Sequence, residues 1–318
     1  MKNRIEWIDI AKGISIILVV YGHSGLNSVP FIGDWFSAFR MPFFFFVSGL
    51  LANPTKYLNV SSFLNKRWKT LYRPYFIFSF ILLCVFAILD ADSIKEKCID
   101  VITFGWRGIA LWFIPVLSLT ELFYFMIARK ITNRHILLCF LVLSATMGYC
   151  SYCWNLPNNY NICFVLSAVL FYGVGNMFKT LVLSNPSPNN TIIMLLCIVS
   201  MLLSFTFKLN PAKPEFGVNN LQSVWTYPAA FFGTFFMCLL SLLISTVQNL
   251  FVKYIKETIK FFGRNSYLVL AFHQIILIIL PDVGLFKYGS VQRIVMWIIL
   301  TLIIKVVLKY IPALIGRQ

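Results

Sequence analysis

Apolar stretches of about 20 residues recur along this chain from end to end, and that recurrence limits its fold more than any motif does. A helix needs about that many apolar residues to cross the hydrocarbon core of a bilayer, and only helices or closed barrels satisfy their backbone hydrogen bonds there. Runs near residues 7–26, 36–52, 73–90, 109–128, 136–152, 161–179, 191–208, 227–248, 266–281 and 291–310 approach or meet this length. They are continuous rather than alternating. The spacing therefore predicts an all-α, polytopic membrane protein of about ten transmembrane helices, organised as a single domain over 1–318. Composition agrees: 59% of the 318 residues are hydrophobic and 12% are charged, more apolar surface than a soluble fold buries. The first run does not read as a cleaved leader, because Asp9 and Lys12 interrupt its start and no small-residue cleavage site follows.

A net charge of +16 invites a nucleic-acid reading, but the placement of the charges argues for topology instead. With the N-terminus inside, Lys66, Arg67, Lys69 and Arg73, then Arg129, Lys130 and Arg134, then Lys253, Lys256, Lys260 and Arg264 all fall on the cytoplasmic side. Asp34, Asp90, Asp92, Glu96, Asp100, Glu215 and Asp282 fall outside. Both termini are expected in the cytoplasm of a cell-membrane protein, with no nucleic-acid partner.

The first run carries three ionisable residues among aliphatic ones: Asp9, Lys12 and His23. On a helix they fall close to one face, with Lys12 and His23 about three turns apart. Such a line implies a polar cavity rather than lipid. The alternative is that Asp9 and Lys12 lie at the interface and His23 is a packed polar residue. Arg40 belongs near the outer face with His23, as its neighbour or as an interfacial anchor. The inner loop from Lys66 to Arg73 is the densest basic cluster, readable as positive-inside topology or as a phosphate site, and the third span is expected to start after Pro74.

Glu121, midway along the fourth run, reads as paired, cavity-lining or functional. A straight ninth span starting at its inner face places His273 about 10 Å into the membrane, well below His23, where it lines the cavity, binds a cofactor or makes a structural hydrogen bond. Tyr172, Gly173 and Gly175 mark close helix packing, and Ser184 to Asn190 a turn-forming loop. Cys150 and Cys153 lie near the outer surface, where a disulfide is open. No metal site is expected without nearby histidines.

Several of these segments together resemble the acyltransferase 3 family of membrane acyltransferases, in particular its fucose 4-O-acetylase-like branch. They are Ile8 to Gly13 followed by Val20 to His23, Met41 to Gly49, the basic run into Arg73-Pro74-Tyr75, Leu111 to Phe113, and Tyr267 to His273. They occur in order across most of the chain. The family pattern of a basic residue, ten spacers and a histidine reads here as Lys12 to His23. Many members have Arg where Lys12 stands, and a further basic residue where Thr70 stands.

The resemblance implies transfer of an acyl group, usually acetyl, from cytoplasmic acyl-CoA to a sugar hydroxyl of a cell-surface glycan or its lipid-linked precursor. On that reading Lys12, Lys66, Arg67, Lys69 and Arg73 hold the CoA phosphates, with Asp9 steadying Lys12 and His273 on the cofactor side. His23 is the general base on the hydroxyl, or the site of an acyl-histidine intermediate. Arg40 stabilises the oxyanion or orients the glycan, and Glu121 joins the catalytic set. Acetyl-CoA is the expected donor, and the partners are acyl-CoA, the glycan and the bilayer. A transporter of a glycan or small acid is the second reading, though neither an internal repeat nor paired half-length segments accompany it.

Overall fold

The computed structural model describes residues 5–24, 30–57, 59–106, 109–156, 161–179, 189–210, 215–216, 221, 223–282 and 290–315. Among the described residues every regular element is a helix. In chain order they are α1 (Glu6–His23), α2 (Pro30–Ser37), α3 (Arg40–Leu51), α4 (Val60–Arg67), α5 (Arg73–Leu89), α6 (Ile94–Phe104), α7 (Phe113–Ala128), α8 (Arg134–Cys153), α9 (Ile162–Met177), α10 (Asn190–Lys208), α11 (Thr226–Thr246), α12 (Leu250–Arg264), α13 (Ser266–Asp282) and α14 (Ser290–Tyr310).

Each of the ten apolar runs is helical over most of its length. Among the described residues, five helical stretches are long and apolar enough to cross a membrane: Val60–Leu89, Ala110–Ala128, Arg134–Cys153, Asn190–Lys208 and Thr226–Thr246. A sixth is reached if α12 and α13, bent by 84° at their junction, count as one. α1 falls outside that set although it has 18 residues, because Glu6, Asp9 and Lys12 crowd its first two turns.

The outward faces are apolar, as a lipid environment requires. On α10 the inward positions are Ile193, Cys197, Ser200 and Ser204, while Leu195, Leu196, Val199 and Leu202 face out. The small and polar residues are thus inside, where they allow close approach and hydrogen bonding between helices. Ser204 Oγ donates to Ala229 O of α11 at 2.9 Å and accepts from Trp35 Nε1 of α2 at 3.1 Å.

α1 and α3 stand at the centre. α1 packs against α3, α11, α12 and α13, and α3 against α9 and α11. Glycines set these approaches. A Cβ on Gly49 would strike the Tyr172 carbonyl of α9, and one on Gly175 would strike that of Phe46. Asn176 then spans the end of α3, donating to the Gly49 and Ala52 carbonyls at 3.0 and 3.1 Å.

Three expectations from the sequence are corrected. The span expected over 36–52 is two helices, α2 and α3, turning at Ala38 and Phe39. The basic stretch 66–73 is not a loop: α4 runs into α5 through a π-helical turn over Trp68–Tyr72, closed by Arg73 N–H donating to Trp68 O. Residues 250–264, read as inner loop, form the amphipathic α12, whose Lys256 and Lys260 are buried against its neighbours. The question left open at Cys150 and Cys153 is answered by two free thiols. The turn-forming loop expected over 184–190 lies, but for its last two residues, outside the described residues.

Candidate active site

A cavity of about 380 Å³ lies between α1, α3, the π-turn, α7 and the start of α13. α1 contributes Lys12, Ile16 and Val19, which with His23 follow at intervals of four, three and four residues and so share one face. α3 contributes Met41, Phe44, Ser48 and Leu51, and Arg40 lies one turn before Phe44 on the same stripe. The polar wall is formed by Lys12, Arg67, Glu121, Arg264, Ser266 and Tyr267. The cavity is therefore cationic and polar at one end and apolar along its middle.

The π-turn builds part of the cationic end. Its i→i+5 hydrogen bonding adds a residue and re-aims the side chains that precede it, the usual use of such turns at functional sites. Arg67, the residue before the turn, points at Glu121 of α7. Its Nε lies 2.7 Å from Glu121 Oε2, and its Nη2 donates to Oε1 at 3.0 Å. The carboxylate is buried, with Glu121 4% exposed. On the other side of the turn, Tyr267 Oη donates to the Leu71 carbonyl at 3.2 Å. This turn is thus held from two helices.

The 84° bend builds the rest. α12 lies across the base of α1 because Gly13 and Gly263 let the backbones meet. A Cβ on Gly13 would strike the Ile259 carbonyl, and one on Gly263 would strike that of Asp9. Arg264 Nε donates to Asp9 Oδ2 at 2.8 Å, and Lys260 Nζ donates to Glu6 Oε1 at 3.0 Å. Asp9, expected to steady Lys12, thus engages Arg264. The chain turns at Asn265, whose Nδ2 donates back to Phe261 O at 2.8 Å, and α13 then rises beside α1.

One turn past Val19 lies a second polar cluster. Arg40 stacks its guanidinium over Gly22, where a Cβ would collide with it, and its charge acts on His23. Glu215 acts in turn on Arg40. The His273 ring lies 5.4 Å from the His23 ring, centroid to centroid, with a 48° tilt. The sequence placed His273 well below His23, counting α13 as a straight span from the inner face. The structure overturns that count: Gly263, just before the bend, sits against Asp9 and Gly13, so that α13 starts part-way up α1 and the His273 ring meets that of His23 at its end.

The predicted residues therefore divide. Lys12, Arg67 and Glu121 line the cavity, and His23, Arg40 and His273 cluster beyond its apolar middle. Asp9 supports Arg264 from α1. Lys66, Lys69 and Arg73 are exposed and do not line the cavity. Arg264, Ser266, Tyr267 and Ser48 line it without having been singled out. Among the described residues no group of His, Cys, Asp and Glu could hold a metal ion.

This arrangement, a cationic chamber joined along one helix face to a histidine, coincides with a match to a known family. The model of the acyltransferase 3 family, an acyltransferase domain, matches residues 5–310. The chain belongs to this family. Neither a curated protein nor a solved structure matches it. Membership implies acyltransferase activity in a membrane protein, and it covers every element described above. It also favours acyl transfer over the transporter reading.

Proposed function

We propose that the protein transfers an acyl group, in the first instance acetyl, from cytoplasmic acyl-CoA to a hydroxyl of a sugar in a cell-surface glycan or its lipid-linked precursor. The observation that carries this reading is the single face from Lys12 through Ile16 and Val19 to His23, which links the cationic chamber to a histidine. Eleven residues of helix span about 16 Å, a length suited to an extended pantetheine arm. Lys12, Arg67 and Arg264 supply positive charge for the phosphates at one end. The walls Ile16, Val19, Phe44 and Leu270 are apolar, as the arm and its thioester require.

On this reading His23 takes the proton of the sugar hydroxyl as its oxygen attacks the thioester carbon. The carbonyl oxygen gains negative charge, and Arg40 lies beside His23 to stabilise it. The C–S bond then breaks, the ester forms, and His23 returns the proton to the departing thiolate. Glu121 serves differently from the sequence expectation: its two contacts to Arg67 and its burial suit it to holding that cation in place rather than to proton transfer. The proposed topology, ten spans with both termini in the cytoplasm, agrees with Lys12 on the donor's side.

Thiol release from acetyl-CoA by the purified protein, measured with a panel of sugars, tests the reading. Sugar-dependent release that disappears in His23→Ala is expected. Wild-type release by His23→Ala, or donor binding with no release on any sugar and transport of a glycan instead, would contradict it.

A further inference from the structure

His273 is fully buried and half of its hydrogen-bonding capacity is used. Its Nδ1 lies 2.8 Å from Val269 O, one turn back on α13. A carbonyl only accepts, so Nδ1 carries the proton and the neutral ring presents a bare lone pair at Nε2. That nitrogen has no hydrogen-bond partner among the described residues. Leaving a buried acceptor unsatisfied is costly. The neighbouring ring is that of His23, at a centroid separation of 5.4 Å, close enough for a hydrogen bond between their nitrogens to form when the His23 ring turns. The next residue fixes the helix at this level, since Gln274 Oε1 accepts from the Ala110 N–H at the start of the α7 stretch.

We propose that His273 is a positioning residue for His23: rotation of the His23 ring brings its N–H onto the unpaired Nε2, so that the other His23 nitrogen faces the acceptor hydroxyl with its lone pair. The pair is a histidine–histidine relay in which Val269 O sets the tautomer of His273, and His273 sets the tautomer of His23. When His23 takes the hydroxyl proton, the resulting imidazolium keeps its hydrogen bond to the neutral Nε2. The proton moves from hydroxyl to His23 and then to the thiolate, and His273 neither gains nor loses one. This is the orienting role that a carboxylate plays in a catalytic triad, filled here by a neutral acceptor. It replaces the expectation that His273 binds the donor.

The inference rests on the acyl-transfer reading, and its test keeps the two apart. Wild type, His23→Ala, His273→Phe and His273→Gln are purified in one detergent and compared for elution profile, acetyl-CoA binding, KM and kcat. The glutamine oxygen restores an acceptor near the Nε2 position; the phenylalanine ring fills the space without one. His273→Phe should lose about a hundredfold or more in kcat while donor binding stays within about twofold, and His273→Gln should recover most of that loss. If wild type shows no His23-dependent transfer, the acyl-transfer reading fails and this one with it. If wild type transfers and His273→Phe is equally active, only the relay is overturned. Equal loss in both His273 variants, or loss that tracks donor binding, would also overturn it by showing that the ring serves packing or the donor. Should the phenylalanine variant aggregate, the glutamine variant decides alone, with near-wild-type KM and a kcat within about tenfold of wild type supporting the relay.

Discussion

Arg67 and Glu121 show how far single residues could be read in advance. A carboxylate in the middle of an apolar helix had to be paired or functional, and a basic run at a helix entrance had to meet lipid or phosphate. Neither pattern said that the two would meet, because their sequence separation of 54 residues leaves pairing to the packing of α4 and α7. The Lys12 to His23 face was fully legible, since helical periodicity fixes it within one element. His273 was misplaced because its depth depends on the bend before it. The pair yields a test at this scale. Glu121→Gln should lower the unfolding free energy by about 3 kcal/mol, the low end for a broken buried pair, because the Arg67 side chain keeps 22% exposure. Replacing both, as Arg67→Met with Glu121→Met, should restore most of the stability while donor binding stays lost. Thermal unfolding and acetyl-CoA binding on the same samples distinguish the two effects.

At the scale of elements, two features that no hydropathy run reveals place the site. The π-turn over Trp68–Tyr72 looks in sequence like a charged loop, because Lys66, Arg67, Lys69 and Arg73 interrupt the apolar pattern that marks a helix. Inserting one alanine after Thr70 should lengthen the turn by a further residue and rotate α4 by about 100° relative to α5. Arg67 would then leave Glu121, and donor binding should fall at least tenfold with membrane insertion intact; unchanged binding would separate the turn from the site. α12 was hidden for the related reason that its alternation of Lys with Phe, Tyr and Ile gives strong amphipathicity and little mean hydropathy. Its seat on α1 needs Gly13 and Gly263. Gly263→Val should cost about 1–3 kcal/mol through the clash with the Asp9 carbonyl and should weaken donor binding by moving Arg264. A thermal midpoint equal to wild type would show that the helices separate without penalty.

For the whole molecule, the apolar runs made an all-helical membrane protein evident. Their number does not translate directly into independent crossings, because α1 holds charges, α9 has 16 residues and α13 follows a sharp bend. These are the helices around the centre, where polar and short segments are covered by neighbours, α1 by α11 and α9 by α8. The proposed topology of ten spans predicts that a reporter fused after residue 315 is active in the cytoplasm. It also predicts that cysteines placed at 133 and 155 are labelled from opposite sides of the membrane; labelling from one side would contradict it. The central claim is that one end of the molecule holds the donor and the other performs transfer. The measurement that tests it most directly pairs acetyl-CoA binding with acyl transfer in two variants, Arg264→Ala and His23→Ala. The account predicts that Arg264→Ala loses donor binding and transfer together, whereas His23→Ala binds donor as wild type does and transfers nothing. Loss of donor binding in His23→Ala, or full transfer by it, would contradict the division of labour along α1.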